Sequence, residues 1–259
     1  MATSFDYRRQ AMTYDTTRSA SPSVLAPLRA ALGEPGSGAL LDVGGGTGNY
    51  ARALADDGWS ATVVDRSPEM LAVAAAKRLP VCLADASALP LDDASVGAVT
   101  LVSVLHHVPD WRDALAEARR VVRPGGVVAL MVFATEHLDV HWIEGYLPSA
   151  LEHFRAAHQP LDALRAALPG ARELPVRYED VVDGSLAALC RRPELLLDAT
   201  IRRQTSFVEW AEANVADELD AALARLAGEL ASGVRPQDGV ALRRASLGDA
   251  VVMAWRRPD

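Results

Sequence analysis

The sequence predicts an α/β fold built on a doubly wound, mostly parallel sheet, and three observations carry that prediction. From Ala39 to Phe133, short apolar runs alternate with segments of helical periodicity. The first apolar run ends in a cluster of glycines. The last one, at the C-terminus, follows a long helical stretch and reads as a returning antiparallel strand. Strands that alternate with helices at this pace form parallel sheets covered on both faces. Right-handed crossovers then bring the strand C-terminal ends to one edge. In open sheets of this kind, ligands bind at that edge, where the strand order reverses.

Each element has a local reason. Ala39–Val43 is a short apolar run closed by Gly44, hence a buried strand. Asn49–Asp57 spaces Tyr50, Ala53 and Leu54 as a helix does, and Gly58 ends it. Ser60–Asp65 is the second strand. Ser67-Pro68-Glu69 starts a helix: a serine cap, a proline in the first turn and an acid at the positive end. Pro80–Asp85 is the third strand and Val96–Val102 the fourth. Asp110 is placed to cap a helix that continues to Val122. Arg123-Pro-Gly-Gly126 breaks it, and Val127–Phe133 is the fifth strand. Arg172–Val182 reads as a sixth strand, residues 184–248 as helical throughout, and Asp249–Trp255 as the seventh strand. The predicted organisation is one domain in three stretches. These are an N-terminal helical cap over 1–38, a core over 39–135, and helical insertions with an antiparallel strand pair over 136–259. The insertions form a lid over the ligand edge.

Composition narrows the function classes. The chain has 259 residues, half of them hydrophobic and 23% charged, which is a globular balance. No apolar run approaches the roughly 20 residues of a membrane span, and the first residues lack the apolar stretch of a secretory signal. Lys plus Arg is 26 and Asp plus Glu is 34, a net charge of −8 with no basic stripe, so nucleic acid is not an expected partner. Cys82 and Cys190 are too few for a disulfide framework or a zinc cluster. The expectation is a cytoplasmic protein, monomer or homodimer, acting on small molecules.

The chemistry concentrates at strand ends. Gly44, Gly46 and Gly48 lie between a strand and a helix, where glycines let a ligand approach the backbone closely. The spacing is Gly-x-Gly-x-Gly. The dinucleotide fingerprint would need a glycine at Asn49. Asp65 ends the second strand, where a carboxylate can accept both hydroxyls of a ribose or serve only to cap the next helix. Asp85 ends the third strand. It can accept from an adenine amino group or satisfy its own loop. Two acids on one edge favour an adenosyl ligand over a nicotinamide one.

The chain resembles the class I S-adenosylmethionine-dependent methyltransferases, specifically the small-molecule type related to ubiquinone biosynthesis. The matching pieces are Phe5–Arg18, Leu41–Gly48, Val64–Met70, Ala84–Leu91, Val102–Val108 and Arg123–Gly126, in that order. They span about residues 5–135; residues 136–248 match only loosely. The resemblance implies a Rossmann-like, seven-stranded sheet with an antiparallel last strand and S-adenosylmethionine as cofactor. It implies roles by position. Gly44, Gly46 and Gly48 line the methionine part of the cofactor, Asp65 holds the ribose, and Met70 packs near the adenine. Asp85 and Ala86 face the adenine amino group, and Val102 and Ser103 pass behind the sulfonium. Tyr14 and Arg18 close over the methionine carboxylate, a task suited to a guanidinium fork.

A methyl on positive sulfur is already activated, so such an enzyme chiefly aligns and dries the site. His106 and His107 are the nearest candidates for a base, since imidazole titrates near neutrality; the alternative is that they pack under the next helix. His141, Trp142 and Tyr146 follow the fifth strand, where an acceptor would enter, and are read as substrate contacts or as core. His153 and His158 are expected at the surface. Ser103 stands where a magnesium-assisted mechanism would have a carboxylate, so no metal is expected. There is no Pro-Cys nucleophile and no Asn/Asp-Pro-Pro-aromatic signature for base methylation. O-methylation, in natural-product biosynthesis, is the first expectation. The competing classes are a nicotinamide oxidoreductase, weakened by Asn49, Asp85 and the absence of a Tyr-x-x-x-Lys pair, and an adenosyl-binding protein that transfers no methyl.

Overall fold

The computed structural model describes residues 19–36, 38–179 and 185–259. The strands are β1 Ala39–Val43, β2 Ser60–Asp65, β3 Val81–Leu83, β4 Val96–Val102, β5 Val122–Val132, β6 Arg172–Val176 and β7 Ala250–Arg256. They form one sheet in the order β3-β2-β1-β4-β5-β7-β6. β1 pairs in parallel with β2 and with β4, β2 with β3, and β4 with β5. β7 runs antiparallel to both of its neighbours, β5 and β6. The strand order reverses on either side of β1, which opens a crevice between the ends of β1 and β4. This is the seven-stranded sheet that the sequence predicts.

The helices of the core are α1 Pro22–Leu32, α2 Asn49–Asp56, α3 Pro68–Ala76 and α4 Trp111–Val121. β1 shows why its sequence is apolar at every position but one. Leu40 points into the layer shared with Leu28 of α1, Leu54 of α2 and Ala74 of α3. Leu41 and Val43 point the other way, toward Leu115 and Ala118 of α4. A strand buried on both faces loses the polar alternation of a half-exposed one. α3 begins as predicted, with the Ser67 hydroxyl accepting from the Met70 N–H and Pro68 in the first turn. α4 begins after Asp110, but that side chain makes no capping hydrogen bond.

Beyond β5 come α5 Thr135–Leu138, α6 Pro148–Ala156, α7 Leu161–Ala167, α8 Leu186–Leu189, α9 Ala199–Arg202, α10 Ser206–Asn214, α11 Ala216–Ala231 and α12 Ala241–Leu247. α7 packs on the sheet through Leu161 and Leu164. α5, α6, α8, α10 and α11 share a separate core around Ile143, Leu147, Phe207 and Leu226.

Several boundaries differ from the prediction, beginning with β3, which keeps only Val81–Leu83 of Pro80–Asp85. β5 starts at Val122, not Val127, and runs through Arg123-Pro-Gly-Gly126. Pairing with β4 is kept by a register shift between Val96 and Ala98. A Cβ on Gly126 would lie 2.6 Å from the Gly97 carbonyl oxygen, so the glycine permits the close crossing that was read as a break. β6 stops at Val176, and residues 180–182 of its predicted span lie outside the described residues. The stretch 184–248, predicted as helical throughout, is a series of helices separated by turns. No helix among the described residues is long and apolar enough to cross a membrane.

Candidate active site

The crevice at the β1/β4 switch point is lined by Gly44, Gly46, Asp65, Met70, Asp85, Ala86, Val102, Ser103 and His107. Gly44 and Gly46 both have positive φ, 67° and 56°. Their surroundings differ. A Cβ on Gly44 would overlap Val104, at 2.2 Å, whereas a Cβ on Gly46 would meet nothing within 4 Å. Gly44 is therefore required by packing, and Gly46 leaves its backbone bare toward the open crevice.

Asp65 ties the loop to the second βα turn. Its Oδ2 accepts from the Gly46 N–H and its Oδ1 from the Ser67 N–H, both at 2.9 Å. An ionised carboxylate accepts about four hydrogen bonds, so each oxygen keeps a lone pair for a ligand. Asp85 sits across the crevice. Its Oδ1 accepts from the Ser87 N–H at 2.9 Å and the Ser87 hydroxyl at 2.6 Å, and these bonds hold its pKa below the usual carboxylate value. Ser103 follows β4 with φ of 52°, a strained value for a residue bearing a side chain. Its N–H donates to the Met131 carbonyl and its hydroxyl to the Met131 sulfur. Tyr14 and Arg18 lie outside the described residues.

The two histidines after β4 divide. His107 lines the crevice; His106 lies behind it. The His106 ring stacks at 4.8 Å on His158, which in turn stacks on Phe154. Desolvation is the main cause that lowers all three imidazoles, with His106 and His158 partly buried and His107 open to the crevice. It pushes His106 well below its ordinary value and His107 to about 4, with the His158 and Arg66 charges adding to the effect on His107. His158 was expected at the surface and is instead part of this stack. Its Nδ1 is 2.7 Å from the Phe154 carbonyl, which fixes the ring.

His141, Trp142 and Tyr146 are buried among the helices that follow β5 and line no part of the crevice. His141 Nδ1 accepts from the Ile143 N–H. The Trp142 indole N–H donates to the Leu189 carbonyl at 2.6 Å. The Tyr146 hydroxyl donates to Glu229, and the Arg225 guanidinium covers its ring at 4.5 Å. These contacts join α11 and α8 to the turn at Trp142–Gly145.

Sequence reasoning missed Asp42. Its carboxyl is buried beneath the glycine loop, accepting from the Thr100 hydroxyl at 2.8 Å and from the backbone of Ala51. Burial raises its pKa to about 6. The helix it reaches, α2, has Gly48 as its cap residue and no side-chain cap of its own. The available signal was the acid in an otherwise apolar strand. Arg66, Val104, Val108 and Pro109 also line the crevice. Among the described residues, no group of three or more His, Cys, Asp or Glu is gathered for a metal ion.

Residues 41–130 match the family model described as a methyltransferase domain. Residues 41–130 form a class I, S-adenosylmethionine-dependent methyltransferase domain. The chain is 38% identical over 96 residues to a demethylmenaquinone methyltransferase of Mycolicibacterium gilvum, a match covering 37% of this chain and 42% of that protein. It is 42% identical over 111 residues to a ubiquinone/menaquinone biosynthesis C-methyltransferase of Methylobacterium nodulans, covering 39% and 43%. The chain thus spans under half the length of these relatives. Its fold is that of a putative methyltransferase from an antibiotic biosynthesis pathway of Anabaena variabilis, with a TM-score of 0.73, 24% identity and coverage of 92% and 98%. A phosphoethanolamine N-methyltransferase of Haemonchus contortus, solved with S-adenosylmethionine, shares the fold at a TM-score of 0.59 and 18% identity, over 98% of this chain and 60% of that one.

Proposed function

We propose that the chain is an S-adenosylmethionine-dependent methyltransferase acting on a small-molecule acceptor. The observation that carries this reading is the bare Gly46 backbone beside Asp65. Together they offer an open approach and a carboxylate with one free position on each oxygen. That arrangement fits an adenosyl ligand: the Asp65 oxygens accept the two ribose hydroxyls, and Asp85 and Ala86 face the adenine. Gly44 and Gly46 line the amino-acid end, whereas Gly48, expected beside them, packs against Leu79, Val63 and Ala74 and is absent from the crevice lining; Val102 and Ser103 back the reactive sulfur. When bound, the cofactor supplies a methyl on a positive sulfur, ready for in-line displacement. The protein aligns the acceptor and excludes water, which together account for much of the acceleration of such transfers.

His107 is the candidate base, because it is the imidazole that faces the crevice. Held near 4, it is unprotonated throughout the neutral range. A base that weak suits an acceptor whose hydroxyl is itself acidic, or one that arrives already ionised. The first reading is therefore O-methylation of an acidic hydroxyl, with a place in natural-product biosynthesis. The relatives named for quinone C-methylation favour a second reading, transfer to a ring carbon activated by such a hydroxyl. His141, Trp142 and Tyr146 serve the packing of the helices that follow β5. The test is calorimetry with S-adenosylhomocysteine and with NAD, followed by labelled methyl transfer to a panel of acidic phenols, enols and quinols. Saturable NAD binding without S-adenosylhomocysteine binding overturns the assignment, and the labelled position on the product separates oxygen from carbon.

A further inference from the structure

A second cavity opens on the same edge of the sheet, at its other end. It is lined by Arg177, Arg191, Gln237, Asp238, Arg244 and Asp249, with Ala241 and Ala245 as its floor. Its position follows from the topology. Arg177 comes directly after the last residue of β6, and Asp249 directly before the first of β7. β7 is antiparallel, so its start lies beside the end of β5, where Val132 pairs with Val251. β7 and β6 are two and three places beyond β4, which is roughly 10–14 Å along the edge at about 4.8 Å per strand. The cavity measures about 370 Å³, room for about a dozen waters at roughly 30 Å³ each. The alanines of α12 are four residues apart, so they share the face that carries Arg244 and leave space above it.

The arginines are unequally committed. Arg244 is held rigidly: its Nε donates to Asp249 Oδ1 at 2.6 Å and its Nη1 to the Cys190 carbonyl at 2.7 Å. Asp249 is engaged on both oxygens, since its Oδ2 accepts from the Tyr178 N–H. Arg177 makes one hydrogen bond among the described residues, from Nη2 to the Ala245 carbonyl. Arg191 has a loose ion pair with Glu179 at 3.5 Å. A guanidinium carries five N–H donors, so most of those on Arg177 and Arg191 remain for a ligand. Gln237 adds the opposite need: its buried Oε1 has no hydrogen-bond partner. Asp238 stands at the rim as the acid opposed to an anion.

We propose that this cavity binds a small organic oxyanion, a carboxylate or a phosphate monoester, carrying a neighbouring O–H. The oxyanion accepts from the forks of Arg177 and Arg191, and the O–H donates to Gln237 Oε1. The rigid Arg244–Asp249 pair shapes the wall. The site is separate from the crevice and stands whether or not the chain transfers methyl groups.

Calorimetry of the full chain with glycerol 3-phosphate, malate and inorganic phosphate, and with glycerol as the neutral control, tests the proposal. Saturable binding of at least one organic anion, with none for glycerol, is expected. Preference between the first two probes distinguishes phosphate from carboxylate. The double variant Arg177→Gln/Arg191→Gln should weaken that binding at least tenfold while its affinity for S-adenosylhomocysteine stays unchanged. Ala241→Glu, which places a carboxylate on the floor, should weaken it as well. Asp238→Asn should tighten it by a few-fold, a gain that a merely structural role would not give. The proposal is overturned if the wild-type chain binds none of the anions, if the double variant binds them as well as wild type, or if it loses S-adenosylhomocysteine in parallel. Failure of S-adenosylhomocysteine to bind the wild-type chain would sink the methyltransferase reading and leave this one standing.

Discussion

Asp65 has one backbone donor on each oxygen and an open side toward the crevice, so its removal should be felt by a ligand more than by the fold. Asp65→Ala is expected to weaken S-adenosylhomocysteine binding by about 1.5–3 kcal/mol, the scale of hydrogen bonds to a charged group. Calorimetry checks this, and an unchanged affinity would reduce Asp65 to a brace between the loop and α3. The histidine pair separates in the same way. His107→Ala should keep its melting temperature and ligand affinity and lose at least about a hundredfold in turnover, the usual cost of a general base. His106→Ala, which removes the ring stacked on His158, should melt earlier first. With His107 held near 4, turnover should stay flat from neutrality down to about pH 5 and fall only below that. A fall centred at 6.5 would mean that the base is a solvated imidazole located elsewhere.

The glycine loop shows what a turn of five residues contributes to two different ends. Gly44→Ala forces a methyl into Val104 and should lower the melting temperature sharply. Gly46→Ala meets open space and carries only the backbone cost of positive φ, about 1–2 kcal/mol, so its larger effect should be on ligand affinity. Equal losses of stability in both variants, measured by thermal denaturation beside calorimetry, would refute this division. The loop, its two acids and strands β1, β2 and β4 were legible in the sequence because each has a local signature. Apolar runs, punctuating glycines and a capping serine need no partner to be read. β5 was misread because its first residues are proline and glycines, whose tolerance rests on Gly97 across the sheet. The helices beyond β5 left two readings open for a related reason. They are amphipathic toward one another, so Trp142 and Tyr146 resemble substrate contacts until Leu189 and Glu229 are found holding them. His158 is invisible at a distance of 52 residues from the ring on which it stacks. Asp42 could have been noticed, but the donors that satisfy it come from β4 and α2.

At the scale of the molecule, the chain holds six histidines, and five of them, His106, His107, His137, His141 and His158, have pKa values lowered chiefly by burial. For three of these the folded value is about 4, 4 and 3, for His107, His137 and His141 respectively. His137 shows the reason in its contacts: Nδ1 accepts from the Ala134 N–H, while Nε2 is buried without a partner. The unfolded chain takes up these protons as pH falls through about 6.5, and the folded chain does not until near 4. The stabilisation is therefore complete above about 6.5 and is lost as pH falls toward 4. His137 and His141, which are buried, each contribute up to about 2 kcal/mol of loss between pH 7 and 5. Asp42 acts in the opposite sense. Its folded value of about 6 exceeds the ordinary carboxylate value, so protonation below 6 favours the folded state. One such acid offsets only about 1 kcal/mol over the same interval, so the histidines dominate. Against a typical total of about 5–15 kcal/mol, their combined effect should be large. The melting temperature is expected to drop steeply from pH 7 to pH 5, with net proton uptake on unfolding, read by calorimetry in buffers of different ionisation enthalpy. His141→Gln, which keeps a polar group at that buried position but cannot titrate, should flatten the dependence while lowering stability at pH 7. A melting temperature constant between pH 7 and 5 would show that His137 and His141 are hydrated and overturn this account.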